Sequence, residues 1–204
     1  MTTYFVTGTD TDVGKTVISA LLTQQLGAFY WKPVQSGTIE AEDRKTVQRL
    51  ADIPDEKILP CAYELREPLS PHEAARLDNV EIDIERIIKP KVTGHLVIEG
   101  AGGVFVPLNN NYMMIDLIKR MECEAIVVAR SGLGTINHTL LTLNALRSND
   151  IPVKGVILNG ALNQRNKIAI EQFGNVDILG EIPYVENMDF STMSKPVFDL
   201  STKK

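Results

Sequence analysis

The chain has 204 residues, of which 44% are hydrophobic and 23% are charged, and its formal net charge is −5. This length allows one domain over residues 1–204 with a sizeable core. No apolar run is long enough to span a membrane, and the acidic balance with scattered basic residues argues against a nucleic-acid partner. The first predicted strand begins almost at once, which leaves no room for a targeting peptide. The two cysteines form neither a C-x-x-C pair nor a disulfide framework. We therefore expect a soluble, cytoplasmic protein with no nucleic-acid or membrane partner.

Apolar runs of β type alternate with amphipathic segments along the chain. The predicted strands are Tyr4–Thr7, Phe29–Lys32, His95–Glu99, Ala125–Ala129, Val153–Leu158 and Ile178–Ile182. The predicted helices are Thr16–Leu26, Arg44–Leu50, Ile82–Ile88, Met114–Met121, Thr135–Arg147 and Lys167–Phe173. Most strands are continuous apolar runs, as in parallel strands covered on both faces, and residues 53–68 are expected to be irregular. The alternation predicts an α/β fold, with a doubly wound, mostly parallel sheet, helices on both faces and ligands at the carboxyl ends of the strands.

A glycine-bounded loop joins the first predicted strand to the first predicted helix. Its sequence, Gly8-Thr9-Asp10-Thr11-Asp12-Val13-Gly14-Lys15-Thr16, ends like a Walker A motif, with its first glycine one position early. Backbone N–H groups of such a loop form a concavity for phosphate oxygens at the helix N-terminus. We expect Lys15 to reach the β- and γ-phosphates and Thr16 to ligate Mg²⁺. The alternative is a chance Gly-Lys-Thr in a turn, which the flanking strand and helix disfavour. The motif predicts a P-loop protein that binds a nucleoside triphosphate.

Two further segments follow predicted strands and reach the same edge of the sheet. Glu99 precedes Gly100-Ala101-Gly102-Gly103; a carboxylate there can hold Mg²⁺ or its water shell, and the glycines let a ligand approach the backbone. A glycine turn with an exposed Glu99 is the alternative. Lys32 begins Lys32-Pro33-Val34-Gln35-Ser36-Gly37 and can neutralise a transferring phosphoryl group or an acidic substrate, with Ser36 donating a hydrogen bond. A solvated lysine is the alternative.

Four other segments are less specific. Glu42-Asp43 precedes a helix, and either carboxylate can simply stabilise its N-terminus. The loop Ser131–His138 opens a helix N-terminus that can bind an anion, but a plain strand–helix turn fits equally well. Asn159-Gly160 can read an adenine edge or form a common turn. Ser70-Pro71-His72-Glu73 is interpreted structurally, as a helix start with a capping box, and the three scattered histidines make no metal site.

Taken in order, these segments resemble the dethiobiotin synthetases, the ATP-dependent cyclo-ligases of biotin synthesis. The match extends from about residue 3 to residue 187, and its combination of blocks is specific although no single block is. The blocks are Thr7-Gly8-Thr9-Asp10-Thr11-Asp12-Val13-Gly14-Lys15-Thr16, Lys32-Pro33-Val34-Gln35-Ser36-Gly37, Ser70-Pro71-His72, Glu99-Gly100-Ala101-Gly102-Gly103, Gly132-Leu133-Gly134-Thr135-Ile136-Asn137-His138 and Gly180-Glu181-Ile182-Pro183. The early first glycine is this family's own form of the loop.

The resemblance implies a reaction and its participants. One amine of 7,8-diaminononanoate takes up CO2 as a carbamate, whose oxygen attacks the γ-phosphate of ATP. The second amine then closes the ureido ring and expels phosphate, giving dethiobiotin and ADP. ATP is the co-substrate and Mg²⁺ the cofactor, and positioning and charge neutralisation carry most of such catalysis.

The resemblance also implies functional residues. Lys15 and Lys32 are the implied catalytic residues, and Thr16, Asp43 and Glu99 surround Mg²⁺. The implied ATP-binding residues are Asp12, Val13, Gly14, Lys15, Thr16, Val17, Asp43, Glu99, Gly100, Ala101 and Gly102 around the phosphates, and Asn159, Gly160, Pro183, Tyr184, Val185 and Asp189 around adenine and nearby. The implied substrate-binding residues are Thr11 and Ser36, and, on a helix N-terminus donated by the other subunit of a homodimer, Leu133, Gly134, Thr135, Ile136 and Asn137.

The chain departs from the family pattern in one respect, and two other classes of protein remain as alternatives to this interpretation. No tyrosine occurs between Gly160 and Ile182, so the family's tyrosine contact with the substrate carboxylate is absent, replaced or supplied from elsewhere. A P-loop ATPase switch of the partition or septum-positioning type often carries a lysine early in the loop, where this chain has Asp10, and no amphipathic basic tail follows. An amidoligase acting on a cobyrinate-type acid normally needs a glutamine-hydrolysing domain, for which this length has no room.

Overall fold

The structure, a computed structural model, describes residues 1–39, 42–183 and 198–201. Strands in these ranges are β1 (Thr3–Gly8), β2 (Phe29–Trp31), β3 (Val34–Ser36), β4 (Ile58–Leu59), β5 (Tyr63–Leu65), β6 (Leu96–Gly103), β7 (Glu124–Arg130), β8 (Val153–Asn159) and β9 (Ile178–Ile182). The α-helices are α1 (Lys15–Leu26), α2 (Asp43–Ala51), α3 (Pro71–Leu77), α4 (Met114–Arg120), α5 (Thr135–Ser148) and α6 (Gln164–Gly174). Short 3-10 turns cover Asp55–Lys57 and Ile84–Arg86.

The main sheet has seven strands in the order β4-β2-β6-β1-β7-β8-β9, and β3 pairs with β5 in a separate small sheet. Neighbouring strands in both sheets are parallel. The first strand along the chain, β1, therefore lies between β6 and β7, and the carboxyl ends of these strands meet at one edge. This arrangement confirms the predicted doubly wound parallel sheet.

Alternate residues of the central strands pack on opposite faces of the sheet, as the two-residue period of a strand requires. On one face, Phe5 and Ile98 lie in an apolar cluster with residues of α3, α4, α5 and α6. On the other face, Val6 and Val97 lie in a cluster with residues of α1 and α2. Both faces are thus covered, which explains why the strands read as continuous apolar runs. None of the helices in the described ranges is long and apolar enough to cross a membrane.

Three local predictions are wrong. The stretch Ile82–Ile88 forms only a 3-10 turn, because the Asp83 side chain accepts a hydrogen bond from the backbone N–H of Glu85 at 2.9 Å and replaces a helical bond. The capping box at α3 is absent, since the Ser70 side chain makes no cap hydrogen bond and Glu73 pairs with Arg76 at 2.6 Å. Residues 53–68 are not wholly irregular, because they contain β4 and β5.

Candidate active site

The loop between β1 and α1 is anchored to strands β7 and β8. The backbone N–H of Thr9 donates to the Val128 carbonyl at 3.0 Å, and the Asn159 side-chain amide donates to the Val13 carbonyl at 2.9 Å. Gly14 has φ 97° and packs directly on the Asn159 side chain, so only glycine fits there. No side chain caps α1 and no acidic residue occupies its first turn. The N-terminus of α1 is therefore open to an anion.

Four side chains from different elements meet beside this loop, and we call them the carboxylate cluster: Thr16, Lys32, Asp43 and Glu99. The Thr16 hydroxyl lies 2.9 Å from Asp43 Oδ1 and 2.9 Å from Glu99 Oε1. The Lys32 ammonium donates to Glu99 Oε1 at 3.0 Å and also pairs with Asp43 Oδ2. Two carboxylates, one hydroxyl and one ammonium thus form a single connected network.

Each member of the cluster is placed by a different element. Lys32 follows β2 directly, Glu99 lies within β6, and Asp43 is the first residue of α2. The Asp43 backbone N–H donates to Gln35 Oε1 at 3.2 Å, which fixes the start of α2 against the segment after β2. Lys32 is 5% exposed and Glu99 is 0% exposed. The alternatives of a solvated lysine and an exposed glutamate are therefore wrong, whereas Asp43 both begins a helix and joins the cluster.

A tyrosine that sequence reasoning missed also belongs to this network. The hydroxyl of Tyr30 donates to Glu99 Oε2 at 2.9 Å, and Tyr30 is fully buried. Burial, with the Glu99 charge adding to it, raises the pKa of Tyr30 well above its usual value. Nothing in the sequence marks Tyr30 as different from other apolar strand residues, because its role depends on the pairing of β2 with β6.

The charges of Lys32 and Asp43 are compensated within the cluster, whereas the charge of Lys15 is not. Burial lowers the pKa of Lys32, but Glu99 and Asp43 outweigh that effect and raise its pKa above the usual value. Burial raises the pKa of Asp43, but the Lys32 charge and hydrogen bonds from Lys32, Thr16 and Gln35 hold its pKa below the usual value. For Lys15, burial dominates and lowers the pKa, although the Glu99 charge opposes it. The site therefore stabilises Lys32 as a cation and leaves Lys15 short of counter-charge.

The cluster and the loop line one cleft of about 820 Å³. Most of the predicted phosphate, metal and substrate residues are among its walls, namely Thr11, Asp12, Gly14, Lys15, Thr16, Lys32, Ser36, Asp43, Glu99, Ala101 and Gly102. The cleft is also lined by Gln35, Pro68, Leu69, Ser70, Pro71 and Val106. The Ser36 hydroxyl is buried and has no hydrogen-bond partner among the described residues. The cleft thus combines a charged end with an apolar wall and one unpaired hydroxyl.

Several predicted residues do not line this cleft. Val13 and Val17 belong to an apolar cluster of the core, and Gly100 packs against the ring of Phe5. The segment Leu133–Asn137 begins α5 elsewhere on the surface, with a fully exposed Leu133 and a buried Thr135.

Three of the predicted adenine residues, Asn159, Gly160 and Pro183, lie at the ends of β8 and β9. Asn159 holds the phosphate loop, while the Gly160 backbone N–H donates to the Ile182 carbonyl at 2.8 Å. Pro183 directly follows β9. Tyr184, Val185 and Asp189 lie outside the described residues.

The donor set of the cluster suits a hard divalent cation. Within the described ranges there is no group of three or more His, Cys, Asp or Glu residues that could hold a metal by itself. The Thr16 hydroxyl nevertheless lies within hydrogen-bond distance of one oxygen of Asp43 and one oxygen of Glu99. Mg²⁺ prefers a few protein oxygens and completes its shell with waters and substrate phosphates, so these residues fit it.

Comparison with known proteins identifies the family. Residues 2–192 match the family described as AAA domain. The ATP-dependent dethiobiotin synthetase BioD of Paramagnetospirillum magneticum is 51% identical over 197 residues, which is 95% of each chain. The chain belongs to the dethiobiotin synthetase family. A second dethiobiotin synthetase, BioD of Agrobacterium fabrum, is 50% identical over 180 residues, 88% of this chain and 85% of that protein. The protein is therefore an enzyme of the dethiobiotin synthetase type, a cyclo-ligase.

A solved structure outside the dethiobiotin synthetases shares the fold alone. The septum site-determining protein MinD of Pyrococcus horikoshii, complexed with Mg-ADP, has a TM-score of 0.57 and 16% identity, and the match covers 89% of this chain and 81% of that one. The septum-positioning switch is thus a distant structural relative of this dethiobiotin synthetase.

Proposed function

We propose that the protein carboxylates 7,8-diaminononanoate with CO2 and closes its ureido ring at the expense of ATP, giving dethiobiotin, ADP and phosphate. The observation that carries this proposal is a second buried lysine, Lys32, beside the phosphate loop of a chain that is 51% identical to a dethiobiotin synthetase. A phosphate loop alone suits any NTPase. A second cation held at the γ-phosphate end of the cleft suits transfer of a phosphoryl group to an anionic acceptor.

The proposed steps need anions to approach each other. A carbamate formed on one amine attacks the γ-phosphorus of ATP through an oxygen, and ADP leaves. The second amine then attacks the carbonyl carbon of the carbamic–phosphoric anhydride, the C–O bond to phosphate breaks, and the amine proton passes to solvent. Both the carbamate and the γ-phosphate are negative, so their approach requires fixed positive charge. Lys15 and Lys32 supply this positive charge from fixed positions in the cleft, so their side chains need little reorganisation during the reaction.

Thr16, Asp43 and Glu99 are the proposed Mg²⁺ ligands. When bound, Mg²⁺ neutralises charge on the β- and γ-phosphate oxygens. The cluster itself orients the three ligands before any nucleotide arrives, because Thr16 lies 2.9 Å from both carboxylates. The backbone N–H groups of Asp12 to Val17, at the uncapped N-terminus of α1, are proposed to hold the phosphates, with the backbone of Gly100 to Gly102 in β6 beside them.

The diamine is proposed to bind between the loop and the segment after β3. Thr11 lines the cleft on one side, and Ser36 presents a buried hydroxyl that has no partner among the described residues. The substrate carboxylate is proposed to bind the segment Leu133–Asn137 of the second subunit in a homodimer. This segment starts a 14-residue helix whose N-cap, Gly134, provides no side-chain cap, which suits an anion.

The adenine is proposed to lie between Asn159-Gly160 and Pro183-Tyr184-Val185, with Asp189 near the nucleotide. Asn159 supports this role because its amide nitrogen is held by the Val13 carbonyl, which fixes the side chain at the edge of the loop. The proposal also includes one synthetase domain over residues 1–204, a cytoplasmic location, and no nucleic-acid or membrane partner.

Product analysis tests the proposed function. The purified protein is incubated with ATP, Mg²⁺, 7,8-diaminononanoate and bicarbonate, and dethiobiotin and ADP are quantified. We expect dethiobiotin only when all components are present, with one ADP formed for each dethiobiotin, and no product from a Lys15→Ala control. ATP turnover that ignores the diamine and rises with DNA or lipid vesicles would instead favour a P-loop switch.

A further inference from the structure

The two oxygens of Glu99 have different partners. Oε1 faces the cleft, where the Thr16 hydroxyl lies at 2.9 Å and the Lys32 ammonium donates at 3.0 Å. Oε2 accepts a hydrogen bond from the Tyr30 hydroxyl at 2.9 Å, the one bond to this oxygen recorded among the described residues. Because Glu99 is fully buried, water does not take the place of a missing donor. Tyr30 therefore holds the carboxylate through Oε2, while Oε1 faces the cleft.

The sheet explains how Tyr30 reaches Glu99. Strand β2 pairs with β6, and Tyr30 lies opposite Val97. Residues two apart along a strand share a face, so Glu99 lies on the same face as Val97 and Tyr30, one step nearer the carboxyl edge. The ring of Tyr30 spans that step and packs in the apolar cluster beneath α1. Phenylalanine would fill the same volume, so packing alone does not require the hydroxyl.

We propose that Tyr30 is a positioning residue for Mg²⁺: its hydroxyl holds Glu99 Oε2 and so presents Oε1 as a single-oxygen ligand beside Thr16. This inference rests on the magnesium role of Glu99 in the proposed function. Mg²⁺ demands near-ideal octahedral geometry, and a carboxylate free to rotate offers it two oxygens at variable angles. Groups that orient metal ligands commonly change metal affinity by about 10–100-fold when removed.

The test measures metal binding separately from nucleotide binding. Tyr30→Phe removes one oxygen and keeps the ring. Tyr4→Phe is the matched control, because Tyr4 is also buried, lies in the same apolar cluster and has no recorded bond to the carboxylate cluster. Mn²⁺ replaces Mg²⁺ so that electron paramagnetic resonance can measure its dissociation constant from the ADP-bound protein. ADP binding without metal is titrated in parallel.

We expect Tyr30→Phe to raise the Mn²⁺ dissociation constant at least about tenfold and to leave metal-free ADP binding unchanged. Tyr4→Phe should change neither. Unchanged Mn²⁺ binding in Tyr30→Phe would overturn the inference, and so would an equal loss of metal-free ADP affinity, which would indicate a damaged core.

Glu99→Gln in the same assay separates this inference from the proposed function. If Glu99→Gln weakens Mn²⁺ binding and Tyr30→Phe does not, only the inference fails. If Glu99→Gln leaves Mn²⁺ binding unchanged, the proposed metal role of Glu99 fails and the inference fails with it.

A second measurement uses the unmutated site, in case Tyr30→Phe does not fold. The wild-type protein is labelled with 3-fluorotyrosine, and Tyr→Phe variants at the other four of its five tyrosines assign their fluorine resonances. The remaining resonance, from Tyr30, should shift when Mg²⁺ is added to the ADP-bound protein, because a cation on Oε1 withdraws charge from Oε2. A resonance that does not move would overturn the inference.

Discussion

The same substitution at the two lysines of the cleft should lower the free energy of unfolding by clearly different amounts. Lys32→Met leaves the carboxylates of Asp43 and Glu99 without their ammonium partner, and Glu99 is 0% exposed. Removing one partner of a buried ion pair costs about 3–5 kcal/mol. The Asp43 side chain is 29% exposed, so water screens part of its charge. We therefore expect a loss of about 3 kcal/mol in the free energy of unfolding, which lowers Tm by roughly 6–12 °C for a chain of this size.

Lys15→Met should lower the free energy of unfolding by at most about 1 kcal/mol, which is the contribution of one ordinary hydrogen bond. Among the residues that the structure describes, the Lys15 ammonium donates only to the backbone carbonyl of Asp10, at 3.0 Å, and burial lowers its pKa. A lysine whose pKa falls on folding destabilises the fold at every pH below that folded pKa. The raised pKa of Lys32 stabilises the fold. This stabilisation is complete below the unfolded pKa of about 10.4 and disappears as pH rises through the folded pKa. At pH 7.5 the stabilisation by Lys32 is therefore fully present.

Urea-induced unfolding at pH 7.5, without nucleotide or divalent metal, measures both variants against the wild type. Dethiobiotin formation is measured in parallel and should fall at least about a hundredfold in each, because each variant loses one of the two cations proposed to face the transferring phosphoryl group. Equal stability losses in the two variants, or a Lys32→Met protein as stable as the wild type, would refute this account of the charges.

Three further predictions address the dimer, the loop and the cysteines. Mixing Lys32→Ala and Leu133→Asp proteins, each inactive alone, should restore about a quarter of wild-type turnover, because about half of randomly exchanged dimers are mixed and each has one intact site; no recovery after demonstrated exchange would place the site within one chain. Gly14→Ala should abolish ADP binding in a titration, because Gly14 has φ 97° and a Cβ would collide with Asn159, whereas Gly132→Ala, where a Cβ meets open space, should bind normally. Burial raises the pKa of both cysteine thiols to about 11, so iodoacetamide at pH 8 should label them at least about a hundredfold more slowly than in urea; fast labelling of the folded protein would contradict that burial.

The parts of the fold that follow from local patterns were predictable. The central strands are long apolar runs, and the Gly-Lys-Thr signal lies where β1 meets α1, so neither depends on distant contacts. The turn at Ile84–Arg86 was mistaken for a helix because its isoleucines recur at helical spacing. That spacing reports burial rather than backbone conformation, and Ile82, Ile84 and Ile87 are indeed buried.

The parts of the site that depend on strand order were only partly predictable. The sequence places Lys32 after a predicted strand but leaves a solvated lysine as the alternative, and Lys32 is a buried cation because β6 brings Glu99 beside β2. The hydroxyl of Tyr30 acquires its acceptor through the same pairing. Short strands such as β3 and β5 were missed for a related reason, since three residues carry too little periodicity to be recognised without their partner.

The central position of β1 also determines when the catalytic loop can exist during synthesis. Its neighbours are β6, where Thr3 pairs with Leu96, and β7, where Tyr4 pairs with Glu124. At about 5–20 residues per second, the ribosome needs roughly 6–25 s to pass from β1 to the end of β7, and the anchor of the loop on Val128 forms only then. Until β6 is synthesised β1 is an unpaired apolar segment, of the kind that chaperones protect, and its other edge stays unpaired until β7 follows. ATP can therefore stabilise the finished fold, but none of the intermediates that precede the synthesis of β7.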